Sequence, residues 1–398
     1  MNYLNNIANG FLTALFFSLF IYLEYFNINA PWLNLLSALI AFYRILNAPR
    51  KEVIYSGFFI GIFWFYWVSF SFRFYYLTYL IPLAILGFAL AYSLFFYILA
   101  YSKSPFVRTI ILIILSFIEP FGFNWFKVEL LLINTPVVAN TLTLTISLVI
   151  LSLSIQYSKK FLALLAILFF IPQISSAKLQ DDIKIKLIST DVSQHKKWLH
   201  SHKNLQITNN LNEIKIAIEE NADLVVLPES VFPLYLNKEL NLINELKYLS
   251  QEIAIISGGL YLENSQIYNA TYYFNKNEIQ IAKKMILVPF GEYIPLPKFL
   301  KDFINNVFYN GAQDYEKADK PTDFILNGVS LRNAICYEAT SKELFTGSPA
   351  IMIASSNNAW FTPSIEPTLQ KLLMKYYARL HNTVIYHSSN SDGSGIIK

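Results

Sequence analysis

The first 177 residues of this chain are so apolar that they constrain the fold before any motif is considered. They contain nine Lys or Arg and four Asp or Glu, whereas the rest of the 398 residues contain twenty-two and twenty-three. The two parts carry net charges of +5 and −1, which sum to the +4 of the whole chain. This division predicts a membrane domain over residues 1–177 and a water-exposed domain over residues 178–398, and so small a net charge predicts no nucleic-acid partner.

Seven segments of the first part are candidates for membrane-spanning helices, each of which needs about 20 apolar residues. They are residues 8–27, 32–47, 54–72, 76–101, 105–122, 129–156 and 160–176. The second is short, and Asn134, Thr135 and Asn140 dilute the sixth. The first lacks a basic start and further spans follow it at once, so it is not a cleaved signal peptide. We therefore expect an all-α polytopic membrane bundle.

The basic residues near the ends of these segments predict the orientation of the bundle. Seven lie in the connections after the second, fourth and sixth spans, namely Arg44, Arg50, Lys51, Lys103, Arg108, Lys159 and Lys160. The alternate connections contain only Arg73 and Lys127. Because Lys and Arg favour cytoplasmic loops, the N-terminus is predicted in the cytoplasm and the second domain on the outer, periplasmic face.

Extended and helical patterns alternate in the second part, which predicts an α/β domain built on a buried sheet. Helices are expected at residues 203–221, 239–250 and 364–380. Strands are expected at residues 183–190, 223–229, 253–262 (with a break at Gly258-Gly259), 268–275, 278–287, 329–335, 350–354 and 383–386.

Three reactive side chains come late in or directly after such strands: Glu229, Lys284 and Cys336, the only cysteine of the chain. Strand ends meet at one edge of a sheet, where α/β proteins build their sites. There a thiolate is a nucleophile, a carboxylate can take its proton, and an ammonium or the backbone N–H of Tyr337 can stabilise an oxyanion. Taken singly, each has an ordinary explanation: a buried small residue for Cys336, a helix cap for Glu229 and a surface lysine for Lys284.

No metal or cofactor is expected. The five histidines, His195, His200, His202, His381 and His387, lack zinc-site spacing, and there is no Gly-rich phosphate loop.

The motifs around these residues resemble the carbon–nitrogen hydrolase (nitrilase) superfamily, and within it the membrane branch of apolipoprotein N-acyltransferases. The matching pieces are Gln194-His-Lys-Lys-Trp198, Leu227-Pro-Glu-Ser230, Lys284 with Leu287-Val-Pro-Phe-Gly-Glu-Tyr-Ile-Pro295, Ile335-Cys-Tyr-Glu338 and Ser356-Asn-Asn-Ala-Trp-Phe361. The resemblance implies a four-layer αββα sandwich with a Glu–Lys–Cys triad, and it covers nearly the whole chain.

The resemblance also implies roles for single residues. Glu229 would be the general base, Lys284 the oxyanion-stabilising cation and Cys336 the nucleophile. Supporting or substrate-binding roles would fall to Trp198, Glu292, Tyr337, Glu338 and Trp360. The carboxylate of Glu292 would also keep Lys284 charged, since an unpaired buried lysine tends to lose its proton.

The implied reaction moves an acyl chain from a membrane phospholipid to Cys336 as a thioester, and then to the N-terminal amine of a diacylglyceryl-cysteine on an apolipoprotein. The enzyme would be a membrane-embedded monomer of the bacterial inner membrane. The chain departs from the family pattern at Asn358, where an Asp is usual, and at Leu380, where a Glu is usual. It reaches Lys398 without the eighth transmembrane helix that the pattern contains, so none is expected in residues 178–398.

Residues 298–309 carry an independent indication of a lipid substrate. Their apolar side chains would form one stripe on a helix, formed by Phe299, Leu300, Phe303, Ile304, Val307 and Phe308. We expect this helix to lie over the active site and to enter the outer leaflet. The alternative is an ordinary amphipathic helix packed on its own domain.

Three other functions stay open on the sequence. A membrane-tethered amidase or nitrilase-type hydrolase could use the same triad and release the acyl group to water. A non-catalytic lipoprotein-binding or scaffold protein would not need Cys336. A channel or transporter is disfavoured, because Glu24 and Glu119 stand near span ends and acidic residues are few.

Overall fold

The computed structural model describes residues 2–172, 183–308 and 314–398. The chain divides into two compact units, which are described separately. The first comprises Met1–Pro120, Asn124–Ile174 and Pro363–Leu372, and the second Phe121–Phe123, Ser175–Thr362 and Leu373–Lys398.

The first unit is helical throughout its regular elements. Its α-helices are α1 (Asn2–Tyr25), α2 (Pro31–Asn47), α3 (Arg50–Phe65), α4 (Ile81–Leu99), α5 (Pro105–Leu115) and α6 (Thr141–Gln156), with longer 3-10 segments at Tyr66–Tyr75 and Lys159–Phe170. Gly57 and Gly61 let α3 and α4 pack closely, because an added Cβ would come within 2.5 Å of Tyr92 O or 2.6 Å of Phe88 O. Small residues four apart are a usual device of membrane helix pairs.

A buried arginine holds the end of α2. The guanidinium of Arg108 donates hydrogen bonds to the carbonyls of Ile45, Leu46 and Ala48 at 3.0, 3.2 and 2.8 Å. The last carbonyls of a helix have no partner within the helix, and a cation there also complements the helix dipole. Arg108 thus satisfies polar groups that would otherwise be unpaired in an apolar bundle.

Three helical stretches among the described residues are long and apolar enough to cross a membrane: Tyr3–Tyr25, Arg50–Tyr75 and Thr78–Leu99. Two of the expected spans are shorter than predicted. The fifth is α-helical only to Leu115, and the sixth begins at Thr141, where the side chain of Asn140 accepts the N–H of Thr143 at 2.8 Å. The end of the seventh, from residue 173, lies outside the described residues. The count of seven stays a prediction.

The second unit contains two sheets. Its strands are β1 (Ile185–Leu187), β2 (Leu224–Val226), β3 (Phe232–Tyr235), β4 (Ala254–Glu263), β5 (Gln266–Asn275), β6 (Glu278–Lys283), β7 (Asp323–Leu326), β8 (Val329–Ile335), β9 (Ile351–Asn357), β10 (Val384–Asn390) and β11 (Gly395–Ile397). Its helices are α7 (Gln194–Lys197), α8 (His200–Glu219), α9 (Leu240–Leu249) and α10 (Lys298–Phe308), and it shares α11 (Glu366–His381) with the first unit.

One sheet has the order β1-β2-β4-β5-β6, with β3 also paired to β4, and the other has the order β11-β10-β9-β8-β7. Buried side chains of both sheets form one core, in which Tyr273 of β5 stacks on Phe324 of β7 at 4.8 Å between centroids. Helices α8 and α9 pack on the other face of the first sheet. Helix α11 connects β9 to its parallel neighbour β10, and such a crossover lies on a sheet face. The predicted αββα sandwich is confirmed.

Two local predictions about the strands need correction. Strand β4 runs through Gly258 and Gly259 without a break, because Gly258 leaves room for the neighbouring turn: an added Cβ would lie 2.4 Å from Ser230 N. Strand β6 ends at Lys283 rather than at residue 287. The N–H groups of Met285 and Ile286 turn away to donate to the carboxylate of Glu338, at 2.5 and 3.0 Å.

Candidate active site

The turns after β2, β6 and β8 each place one of the predicted triad residues. Glu229 follows β2, and its turn packs on Gly258, where any side chain would displace it. Lys284 is the first residue after β6, and its N–H still donates to Asn269 O at 2.9 Å. Cys336 follows β8 at a backbone φ of 55°, a conformation that non-glycine residues rarely adopt. Such a turn exposes a nucleophile at a strand end and is a feature of functional sites.

Lys284 is completely buried and lies between two carboxylates. Its Nζ is 2.8 Å from Glu292 Oε2 and 3.8 Å from Glu229 Oε1. Burial alone would lower the pKa of Lys284, but Glu292, Glu229 and Cys336 together raise it above its ordinary value. These neighbours therefore favour the charged form of Lys284. Cys336 belongs to the same cluster, because Glu338, two residues after it, accepts the N–H groups of Met285 and Ile286, which follow Lys284.

Asn269 of β5 bridges the two carboxylates. Its Nδ2 donates to Glu229 Oε1 at 2.8 Å and to Glu292 Oε1 at 2.9 Å. A neutral donor shared by two carboxylates lowers their mutual repulsion without adding a charge. The sequence analysis missed Asn269; the one available signal was a polar residue inside the aromatic strand Tyr268 to Phe274.

Glu338 joins the turn at Cys336 to the segment after Lys284. Its carboxylate accepts the N–H of Ile335 at 2.7 Å as well as those of Met285 and Ile286. Burial raises the pKa of Glu338 to about 7, although Lys284 and these three N–H groups lower it. These bonds give Glu338 a structural role, since it links the turn at Cys336 to the segment after Lys284.

Tyr337, the residue after Cys336, is 3 % exposed, and its hydroxyl donates to Gly122 O at 2.8 Å. Its ring stacks on Phe123 at 6.2 Å between centroids. These two contacts fix the position of its side chain. Trp198 is 44 % exposed directly after α7, and Trp360 is half-buried at the end of the 3-10 segment Asn358–Trp360. Functional roles of both tryptophans stay predictions.

An asparagine network fixes the loop that precedes Trp198. Asn390 Oδ1 accepts from Thr190 Oγ1 and Val192 N, each at 2.8 Å. Asn390 Nδ2 donates to Val192 O at 2.9 Å and to Asn357 Oδ1 at 2.8 Å. Asn357 Nδ2 in turn donates to Gln194 Oε1 at 2.9 Å. The ends of β9 and β10 therefore determine where α7 lies.

Asn390→Ala should remove four hydrogen bonds and leave buried partners unsatisfied, at a cost of about 2–4 kcal/mol in the free energy of unfolding. Thermal unfolding of the detergent-purified variant measures this loss. Asn212→Ala, an exposed substitution on α8, is the matched control and should stay within about 0.5 kcal/mol. Equal stability of the two variants would contradict the role given to the network.

Asn358, where the resemblance leads us to expect an aspartate, makes a hydrogen bond that needs an amide. Its Nδ2 donates to Asp392 O at 2.9 Å, which holds the turn between β10 and β11. A carboxylate has no N–H to donate, so an aspartate could not make this bond.

The fold and the arrangement of Glu229, Lys284 and Cys336 agree with the carbon–nitrogen hydrolase class of domain that the motifs resemble. The family model "Carbon-nitrogen hydrolase" matches residues 191–380, and "Apolipoprotein N-acyltransferase integral membrane domain" matches residues 4–175. Among the curated proteins that match, the apolipoprotein N-acyltransferase of Wolinella succinogenes is 46% identical over 96% of this chain and 94% of its own length. The apolipoprotein N-acyltransferase of Helicobacter pylori is 37% identical over 98% of this chain and 95% of its own length. That of Campylobacter jejuni is 34% identical over 98% of this chain and 89% of its own length. The chain belongs to the apolipoprotein N-acyltransferase family, and it is a membrane enzyme.

Proposed function

We propose that this chain transfers an acyl chain from a membrane phospholipid to the N-terminal amine of a diacylglyceryl-cysteine on an apolipoprotein. The transfer passes through a thioester on Cys336. The observation that supports this proposal most directly is the buried Lys284, whose Nζ lies 2.8 Å from Glu292 and 3.8 Å from Glu229 at the ends of the strands that precede the turn of Cys336.

In the first half-reaction, Glu229 takes the thiol proton and the Cys336 thiolate attacks an ester carbonyl of the phospholipid. Lys284 and the N–H of Tyr337 stabilise the tetrahedral oxyanion. The carbon–oxygen bond then breaks, and the departing lysophospholipid oxygen takes the proton from Glu229. The products are a thioester and a lysophospholipid.

In the second half-reaction, the free amine of the diacylglyceryl-cysteine attacks the thioester carbonyl. Glu229 accepts the amine proton, the carbon–sulfur bond breaks, and the thiolate recovers that proton. Glu292 takes no proton in this scheme: it keeps Lys284 charged and oriented, as the 2.8 Å ion pair supports. Two half-reactions at one cysteine give ping-pong kinetics.

The experiment that tests this function supplies purified protein with phospholipid vesicles and a synthetic diacylated lipopeptide. We expect the lipopeptide to gain the mass of one acyl chain while lysophospholipid accumulates in equal amount. Release of free fatty acid at the same rate with or without the lipopeptide would instead support the amidase or hydrolase alternative.

The inner membrane of a bacterium is the place of such an enzyme. We further propose that the catalytic domain, residues 178–398, faces the periplasm and that residues 1–177 cross the membrane seven times with the N-terminus in the cytoplasm. The distribution of Lys and Arg over the connections supports this orientation. Labelling of single cysteines introduced at Lys103 and Lys317 in a Cys336→Ala background should modify only Lys317→Cys from the periplasmic side.

Helix α10 is the segment that we propose to enter the outer leaflet. Phe299 is 72 % exposed and Leu300 is exposed beside it. An ion pair of 2.6 Å between Lys301 and Asp314 fixes the helix, and Asp314 also accepts the N–H of Ile294, two residues after Glu292. Of the predicted stripe, the side chains of Phe303, Ile304, Val307 and Phe308 lie outside the described residues.

Phe299→Glu should lower acyl transfer from phospholipid vesicles about tenfold, because it replaces an apolar side chain of the proposed membrane contact with a charge. The initial rate of lysophospholipid release measures the effect. Tyr248→Glu is the matched control, since Tyr248 is an aromatic residue of α9 with 67 % exposure. Equal rates for both variants, with unchanged thermal unfolding, would show that α10 is an ordinary surface helix.

A further inference from the structure

A second buried lysine lies beside the triad, and the mechanism above does not use it. Lys197, the last residue of α7, is 2 % exposed. Its Nζ donates to the backbone carbonyl of Glu229 at 3.0 Å. Lysine is rarely buried unless it is paired or functional, so the position of this ammonium requires an explanation.

The surrounding structure fixes Lys197 from both sides. Gln206 Nε2 of α8 donates to the carbonyl of Lys197 at 2.9 Å, and the asparagine network holds Gln194 at the start of the same short helix. These hydrogen bonds fix α7, and α7 in turn positions the Lys197 amine against the Glu229 carbonyl. Any shift of α7 would move the turn that carries the Glu229 carboxylate.

The charges around Lys197 come from several elements. Glu229 after β2 and Cys336 after β8 both favour its charged form, and Asp191 and Glu213 border the same polar cavity of about 420 Å³. Burial opposes them and lowers the pKa of Lys197 to about 8. Cys336 also raises the pKa of Lys284.

The balance of charge in the site indicates why two cations are present. Glu292 and Glu338 can bring two negative charges to this cluster, and a third passes between Glu229 and Cys336 when the thiol proton moves, whereas Lys284 supplies one positive charge. Buried charges without compensation are costly, and a group in such a cluster takes up a proton instead. The ammonium of Lys197 reduces the excess of negative charge around the Cys336 sulfur, which must be ionised before it can react.

We propose that Lys197 is a positioning residue for the acyl transfer: it holds Glu229 through the backbone carbonyl and stabilises the Cys336 thiolate with its charge. This inference rests on the proposed function, because it assigns the nucleophile to Cys336. In this role Lys197 acts through Glu229 and Cys336.

The test uses the single cysteine of the chain. Iodoacetamide reacts with thiolate, so the pH dependence of Cys336 alkylation, followed by intact mass, reports the ionisation of that thiol without any acyl substrate. Removing a nearby cation disfavours the thiolate. We expect Lys197→Met to move the midpoint of alkylation upward by about one pH unit. The same variant should form the thioester about tenfold to a hundredfold more slowly, since Glu229 is no longer held.

Three further variants make the result unambiguous. Lys196→Met removes the exposed neighbouring lysine and should leave the midpoint unchanged. Lys197→Arg keeps the charge and should keep the wild-type midpoint. Lys197→Gln keeps an N–H donor without charge, and it replaces Lys197→Met if thermal unfolding shows that the methionine variant does not fold.

A folded Lys197→Met or Lys197→Gln protein with the wild-type midpoint would overturn the inference. A shifted midpoint in a protein whose wild type transfers no acyl group would support the effect of Lys197 on the Cys336 thiolate and refute the proposed function. The two failures are therefore distinguishable.

Discussion

Cys336→Ala will carry no acyl group after incubation with phospholipid, whereas the wild-type protein will carry one that hydroxylamine removes. In the proposed mechanism the thiolate forms the only covalent bond between enzyme and acyl chain, so its loss removes the whole two-step route. For nucleophiles that act with a base, such a deletion costs about 10⁴-fold or more in rate. We expect acyl transfer to the lipopeptide to fall by at least that factor.

The chain itself supplies the control for this experiment. Because Cys336 is the only cysteine, an adduct that hydroxylamine cleaves can be assigned to it by intact mass alone. Alanine at a φ of 55° meets the same backbone strain as cysteine, so thermal unfolding should change little. Full acyl transfer by a folded Cys336→Ala protein would contradict the mechanism and favour the lipoprotein-binding or scaffold alternative.

Lys284→Met should lower acyl transfer by about 10³-fold while leaving the protein able to bind phospholipid. The substitution removes the donor for the oxyanion, which alone costs about 10²–10³-fold. It also leaves Glu229 and Glu292 on either side of Asn269 without their shared cation, so one of the two carboxylates will tend to take up a proton. A protonated Glu229 cannot accept the thiol proton.

Stability and chemistry can be separated in this case by a second substitution. The single variant leaves Glu292, whose side chain is 12 % exposed, without its cation, and we expect it to lose about 3–5 kcal/mol in the free energy of unfolding. Lys284→Met combined with Glu292→Gln should recover much of that stability, because no unpaired charge remains at that position, yet it should stay inactive. Recovery of activity in the double variant would show that Lys284 serves folding and takes no part in catalysis.

The sequence predicted most of the catalytic domain because its apolar strands are short and clearly bounded. Glu229, Lys284 and Cys336 could be placed at strand ends, and the expected strands 268–275 and 278–287 left residues 276 and 277 between them, where β5 turns into β6. Lys276 and Asn277 there adopt φ values of 48° and 65°, as a two-residue hairpin requires. The lengths of the membrane helices were less predictable, since an apolar run does not reveal where Asn140 begins a helix.

Asn269, Lys197 and Asn390 could not be found in the same way. Their functions depend on contacts between residues that are distant in sequence: 40 residues separate Asn269 from Glu229, and 198 separate Asn390 from Val192. A lone polar residue in an apolar strand and a lysine in a basic run carry no local pattern. Only the packed sheets show which buried groups these side chains satisfy.

Because Glu338 joins segments of the two sheets, the distances within the site depend on how the two sheets are aligned. Glu229 and Lys284 belong to one sheet and Cys336 to the other, and the Glu338 carboxylate joins the segments after β6 and β8. A substitution in the core between the sheets, for example at the stacked pair Tyr273 and Phe324, can shift one layer against the other by a fraction of an ångström. Catalysis requires closer alignment than folding does, so we expect core variants to lose turnover at temperatures where they are still folded. In this architecture, selection for activity therefore also constrains residues that no substrate touches.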